Sequence, residues 1–225
     1  MSYKSELQAN NLDLQAILDT VNNLPEAGEG SGPAVSIDSE IPAGYARVGF
    51  IKFTGAQVIN TGIIGNQDTK IRILFSRDSS DAMYLYGVTS SGNTASITAY
   101  MTTTGAWRFG SKSMNRTITA DADIIHLAIV QKTGIKSAGG TSSYSGVTDF
   151  ETPGSIALGG VRQTDGSFDP QLIGKVLIFE MWSGAEQVRR LIPVVSAESV
   201  YRFWDTVSET FFDSLTSTPL DGGNL

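Results

Sequence analysis

The chain has no cysteine and a single histidine, His126. Without thiols there is no disulfide framework and no thiolate metal site, so the fold must rest on burial and ladder hydrogen bonds. One histidine with no second His or Cys all but excludes a zinc site, and a Ser-His-Asp triad would have to use this residue alone. Because His126 stands inside Ile124–Val130, it reads as a buried strand histidine satisfied by a neighbour. That segment is also the longest apolar run, far short of the roughly 20 residues that span a bilayer. The amino end, MSYKSELQANN, has no apolar stretch of the signal-peptide kind. The expectation is a soluble protein made in the cytoplasm, reaching the outside only by a route such as lysis.

Positive charge is scarce too. The net charge is −7, and residues 1–44 carry Glu6, Asp13, Asp19, Glu26, Glu29, Asp38 and Glu40 against Lys4, which leaves 16 acids and 15 bases for the rest. A nucleic-acid binder needs a basic stripe to neutralise phosphates, and none can be read here. Nucleic acid and membrane are not expected partners.

What is present is glycine, 24 of 225 residues, with abundant Ser and Thr and with aromatics set in short alternating segments. This is a composition of strands and turns. Helix is expected only at the start. Leu7, Leu14 and Val21 recur every seven residues, and Asn10, Ile17 and Leu24 form the matching series, a heptad seam stopped by Pro25. Leu and Ile in these positions lean toward three or four strands, with Asn10 as a polar layer that fixes register, and a homotrimer is favoured. The alternative is one amphipathic helix docked on its own domain. Residues 27–44 are rich in Gly, Ser, Pro and acids and read as a flexible linker, so the organisation is 1–26 helix, 27–44 linker, 45–225 domain.

From Tyr45 onward, strand patterns recur about every 8–12 residues, the rhythm of a sandwich or barrel. Arg47–Phe53, Gln57–Ile63, Lys70–Ser76, Met83–Val88, Ser96–Met101, Trp107–Phe109, Met114–Ile118 and Ile124–Gln131 come first. Ser137–Phe150 is polar and glycine-rich and reads as a long loop or irregular edge, and Ile156–Gly160 as a short strand. Leu172–Phe212 is the clearest architecture. Strict alternation there puts Leu177, Phe179 and Met181 on one face and Val176, Ile178 and Trp182 on the other, with a turn at Ser183-Gly184-Ala185 and a second segment ended by Pro193.

Little of this carries reaction chemistry. A glycosidase on a β-sandwich needs two carboxylates flanking the scissile bond. No E-x-D-x-E is present, and two positions after Glu151, Glu180, Glu186, Glu198 and Glu209 stand Pro, Trp, Val, Val and Phe. Asp121-Ala122-Asp123 is the close acid pair; it could ligate Ca²⁺, although such a pair more often solubilises a turn. Gly159-Gly160 lacks the pattern of a phosphate loop. No cofactor and no metal are expected. Binding is the activity left, and sugar sites set aromatic faces beside Asn, Asp and Arg on loops of a rigid sheet. The candidates are Asp81, Tyr84, Tyr86, Asn93, Tyr100, Trp107, Arg108, Tyr144, Arg162 and Asp165. By alternation Tyr84 and Tyr86 share a face, where they could simply cover the sheet, and Trp107 could equally be core.

Phe50-Ile51-Lys52-Phe53-Thr54-Gly55-Ala56-Gln57-Val58-Ile59-Asn60-Thr61-Gly62-Ile63 resembles the opening Y-I-x-x-T/S-G-x-Q-Y-I-D-T-G of concanavalin A-like, laminin G-like jelly-roll domains common in phages and prophages of gut bacteria. Gly174–Trp182 followed by Val188–Val194 is similar to the family's closing G-K-I-Y-S-F-K-I-W and L-V-R-D-F-I-P-V, and Tyr201–Phe212 to its G-L-Y-D-K-V-T-G-K-F-F end. Asn10–Leu18 with Asn22–Gly28 resembles the leader of prophage tail and fibre proteins. The resemblance implies an all-β concanavalin A-like jelly-roll sandwich preceded by a short coiled-coil helix. It further implies a non-enzymatic virion appendage, such as a tail or head fibre, that contacts other virion proteins through residues 1–26 and displays a lectin-like head to host surface glycans. A structural capsid or tail decoration protein without sugar binding remains the alternative.

Overall fold

The computed structural model describes residues 41–101, 106–115, 121–137 and 140–224, with backbone alone at 121–123 and 140. The seam residues Leu7, Asn10, Leu14, Ile17, Val21 and Leu24 lie outside the described residues, and the expected helix and trimer with them.

The described chain is almost all strand: β1 (Tyr45–Arg47), β2 (Phe50–Thr54), β3 (Ile59–Asn66), β4 (Thr69–Arg77), β5 (Met83–Val88), β6 (Ser96–Met101), β7 (Ala106–Gly110), β8 (Lys112–Asn115), β9 (Asp121–Gln131), β10 (Gly134–Ser137), β11 (Gly140–Ser143), β12 (Glu151–Leu158), β13 (Gly160–Arg162), β14 (Phe168–Pro170), β15 (Ile173–Ser183), β16 (Glu186–Ser196), β17 (Tyr201–Asp205), β18 (Thr210–Phe212) and β19 (Asp221–Gly223). One 3₁₀ turn, Ser91–Asn93, interrupts them. The strands form two sheets. The larger runs β11-β10-β9-β4-β15-β16-β17-β18, with β2 and β19 beside the first part of β15 and β1 beside the far end of β16. The smaller runs β14-β13-β5-β6-β7-β8, with β12 bridging β5 to β3. Pairing is antiparallel apart from one parallel contact, Arg162 with Val88.

The inner faces of the two sheets meet in one core. Ile71, Ile73, Phe75, Phe179 and Leu191 from the larger sheet pack with Leu85, Tyr86, Ile97, Trp107 and Phe109 from the smaller. Tyr86 marks the junction, since its ring meets Phe179 of the other sheet edge-on at 6.0 Å. The molecule is thus the all-β sandwich of two antiparallel sheets expected of a jelly roll.

β15 sits at the middle of its sheet, between β4 on one side and β2 then β16 on the other. Its core face is apolar, while its outer face carries Glu180 between Arg72 and Arg190. The strict alternation expected there does not hold. Val176 pairs with Phe75 and Ile178 with Leu74, so Leu177 is an extra residue in a β-bulge. The bulge shifts the phase by one, which puts Val176 on the core face with Phe179 and Met181 and leaves Leu177 and Ile178 out of that cluster.

Pro193 does not end its segment, because β16 continues to Ser196. β15 accompanies β16 only as far as Leu191, and β1 begins pairing at Val194. The missing N–H of Pro193 falls in that changeover, where no ladder donor is required. Its carbonyl still accepts a hydrogen bond from the Val48 amide, 3.1 Å.

Part of Ser137–Phe150 is a hairpin rather than loop: β10 and β11 pair from Gly134–Ser143 to Ser137–Gly140. β11 is a sheet edge made of Gly, Thr and Ser, so it has no apolar alternation to announce it. His126 is buried, its ring 5.5 Å from that of Phe75.

Candidate functional site on the smaller sheet

The outward face of the smaller sheet is set by the β5–β6–β7–β8 ladder. Side chains directly opposite across a ladder share a face. Two rows therefore point outward together: Gly87, Thr98, Arg108 and Ser113, and beside it Tyr84, Tyr100, Ala106 and Asn115. Ile97, Ala99, Trp107 and Phe109 point the other way, into the core.

A second bulge decides which tyrosine faces out. Tyr84 pairs with Tyr100, but Tyr86 pairs with Ala99, so Leu85 is the extra residue and the strand changes phase between the two tyrosines. They do not share a face. Tyr86 is fully buried, whereas Tyr84 and Tyr100 stay half-buried with ring centroids 4.7 Å apart and planes tilted by 46°.

Their surroundings are low. Gly87 has no room for a side chain, since a Cβ there would come 2.8 Å from the Thr98 methyl. Ala106 opposite Tyr100 adds one carbon, and Ser113 and Asn115 beyond are short and exposed. Tyr84, Tyr100 and Arg108 are half-buried in these rows, and Gly87 and Thr98 between them are buried. On the β14 side, the Tyr84 amide donates to Gln171 Oε1 at 3.1 Å, and Gln171 Nε2 donates to Asp169 Oδ2 at 2.6 Å. Burial lifts the Tyr84 phenol above its ordinary pKa; Tyr100 and Asp169 add to that and Arg108 opposes it. The face thus combines two aromatic surfaces, a cation, a carboxylate and a primary amide, the set that packs against a sugar ring and fixes its hydroxyls.

Of the residues expected from sequence, Tyr84, Tyr100 and Arg108 are brought together. Tyr86, Trp107 and Tyr144 are inside the sandwich: Trp107 is fully buried, and Tyr144 stacks on Phe109 at 6.1 Å while donating from its hydroxyl to the Trp107 carbonyl at 3.3 Å. A ligand on the sheet surface does not reach them. The remaining four have local tasks. Asn93, at φ 56°, closes the β5–β6 turn. Asp81 accepts the Ser79 hydroxyl at 2.9 Å, and Asp165 accepts the Ser167 amide and hydroxyl at 2.9 and 2.6 Å. Arg162 donates to Ser155 Oγ at 2.9 Å and lies over Phe168 at 5.4 Å. Asp169 and Gln171 were not expected from sequence. They belong to and follow the three-residue strand β14, which among the described residues pairs only with β13 and has no periodicity of its own.

No family model matches the chain, and no curated protein matches it. Among solved structures it is similar to the native heptameric SAP-like pentraxin from Limulus polyphemus, with TM-score 0.45, 11% identity, and 61% of this chain and 76% of that chain covered. It is also similar to domains LG4-5 of the mouse laminin alpha1 chain, with TM-score 0.41, 12% identity, and 88% of this chain and 51% of that chain covered.

Proposed function

We propose that the domain is a glycan-binding head whose site is the outward face of the smaller sheet. The observation that carries the reading is the Tyr84–Tyr100 pair, held 4.7 Å apart on a floor of small residues beside Arg108 and Asp169. Tyrosine faces present apolar area with little conformational freedom to lose, which suits the apolar face of a sugar ring. Asp169 and Gln171, already joined to each other, supply an acceptor and an amide for hydroxyls.

The test is a glycan array probed with the full-length chain and with Tyr84→Ala and Tyr100→Ala. The reading expects discrete hits that both substitutions weaken about tenfold or more while the folded state persists. An array without hits, or hits that neither substitution changes, contradicts it.

The setting we propose is a phage or prophage appendage, carried by the resemblance of Phe50–Ile63, Gly174–Val194 and Asn10–Gly28 to such proteins. Three copies joined through the heptad seam would raise the avidity of weak single sites without new contacts. A trimeric mass for the full-length chain that becomes monomeric with Leu14→Asp or Ile17→Asp supports this; a monomeric mass unaffected by either substitution overturns it.

A further inference from the structure

On the proposed glycan face, Arg108 stands apart from other arginines of the domain. Arg72 and Arg190 hold Glu180, Arg189 holds Asp205 and Arg202 holds Asp213. Arg162 and Arg77 donate to Ser155 and to the Asp81 carbonyl. Arg108 makes no hydrogen bond or ion pair among the described residues, although it is half-buried on β7, one strand in from the sheet edge. Its ladder partners are Thr98 and Ser113, neither of them acidic. The carboxylate acting on the same face, Asp169, receives the side-chain amides of Gln171 at 2.6 Å and Gln163 at 3.5 Å on Oδ2 and makes no ion pair with Arg108 among the described residues.

A guanidinium offers five donors in a fixed planar fork and cannot shed its charge. Partly desolvated and with no acceptor among the described residues, it is satisfied best by a planar or tetrahedral oxyanion, and such charge-assisted bonds are roughly twice as strong as neutral ones. Arg108 lies next to the tyrosine pair, so a saccharide packed on the rings would bring an acidic substituent to it. We infer that the ligand is an acidic saccharide, its ring against Tyr84 and Tyr100 and its carboxylate or sulfate ester held by Arg108. This deepens the glycan-binding reading of the same face and rests on it.

The experiment compares matched probes on the full-length chain: oligouronates beside their carboxyl-reduced counterparts, and sulfated oligosaccharides beside their desulfated parents, each titrated calorimetrically. The expected result is that at least one acidic probe binds about tenfold or more tighter than its neutral parent. Arg108→Gln should abolish that difference and Arg108→Lys should retain part of it, with thermal unfolding confirming that both variants fold. The uronate and sulfate arms decide which oxyanion is preferred. Equal binding of acidic and neutral members, lost in Tyr84→Ala, overturns the inference and leaves the glycan reading standing. A preference that survives Arg108→Gln overturns the role of Arg108. Binding of no probe, acidic or neutral, overturns the inference and counts against the glycan reading as well.

Discussion

Tyr84 and Tyr86, two residues apart in β5, face opposite sides of their sheet because Leu85 is bulged between them. One is available to solvent and the other is locked between Trp107 and Phe179, at 6.1 and 6.0 Å. The two positions should therefore respond to substitution in opposite ways.

The Tyr86 hydroxyl is buried with no hydrogen-bond partner among the described residues. Removing it as Tyr86→Phe is expected to leave stability unchanged or raise it by about 1 kcal/mol, since a buried polar group without a partner is costly. Tyr86→Ala should instead cost about 3–5 kcal/mol. Tyr84→Ala should cost little stability. Urea denaturation of the three variants checks this.

Glu180 is buried on the outer face of the larger sheet between two arginines, hydrogen-bonded by Arg72, 3.5 Å from Arg190 Nε, and also receiving Gln187 Nε2 at 3.3 Å. Glu180→Gln leaves two cations facing each other across β15 without their shared anion. The expected loss is about 3 kcal/mol or more, whereas Arg72→Met, which leaves Arg190 as counter-ion, should cost less. A denaturation series with the double variant measures the coupling.

Gly159 holds φ at +83°, and a Cβ there would lie 2.2 and 2.5 Å from the Phe53 ring. Gly184, at φ +62° in the β15–β16 hairpin, has open space around it. Gly159→Ala should prevent stable folding, because both backbone and packing oppose it. Gly184→Ala should cost only the backbone penalty, about 1 kcal/mol. Soluble expression and thermal midpoints separate the two outcomes.

Burial raises the Tyr86 and Tyr144 phenols well above the ordinary tyrosine pKa, and burial together with Tyr100 raises that of Tyr84. The folded state holds these protons more tightly than the unfolded chain. Their contribution to stability is therefore complete below pH about 10 and declines above it, as the unfolded chain ionises first. The urea midpoint should fall from pH 10 upward, and tyrosinate absorbance from the buried rings should rise only with unfolding. A midpoint that stays flat to pH 11.5 contradicts the assignment.

Periodicity made the sandwich legible because most strands bury one face. Met83–Val88 and Ser96–Met101 are bounded where alternation puts them. Faces were less legible than strands. A bulge leaves no mark in a run of apolar residues, so neither the phase change at Leu177 nor the one at Leu85 could be read from side-chain type. The same limit governs the candidate site: Tyr84, Tyr100 and Arg108 were recognisable as aromatic and cationic residues near turns. Which tyrosine faces outward depends on the bulge at Leu85, and that Asp169 and Gln171 lie with Tyr84 depends on contact with a segment distant in the chain.

The central claim is that ligand binds the outward face of the smaller sheet. Backbone amide NMR of the full-length chain, titrated with the strongest glycan from the array, tests it most directly. Shifts concentrated at Tyr84, Thr98, Tyr100, Arg108 and Ser113 are the predicted result. Shifts confined to the Ser91–Asn93 turn or to residues 163–167, with those five unmoved, would contradict it.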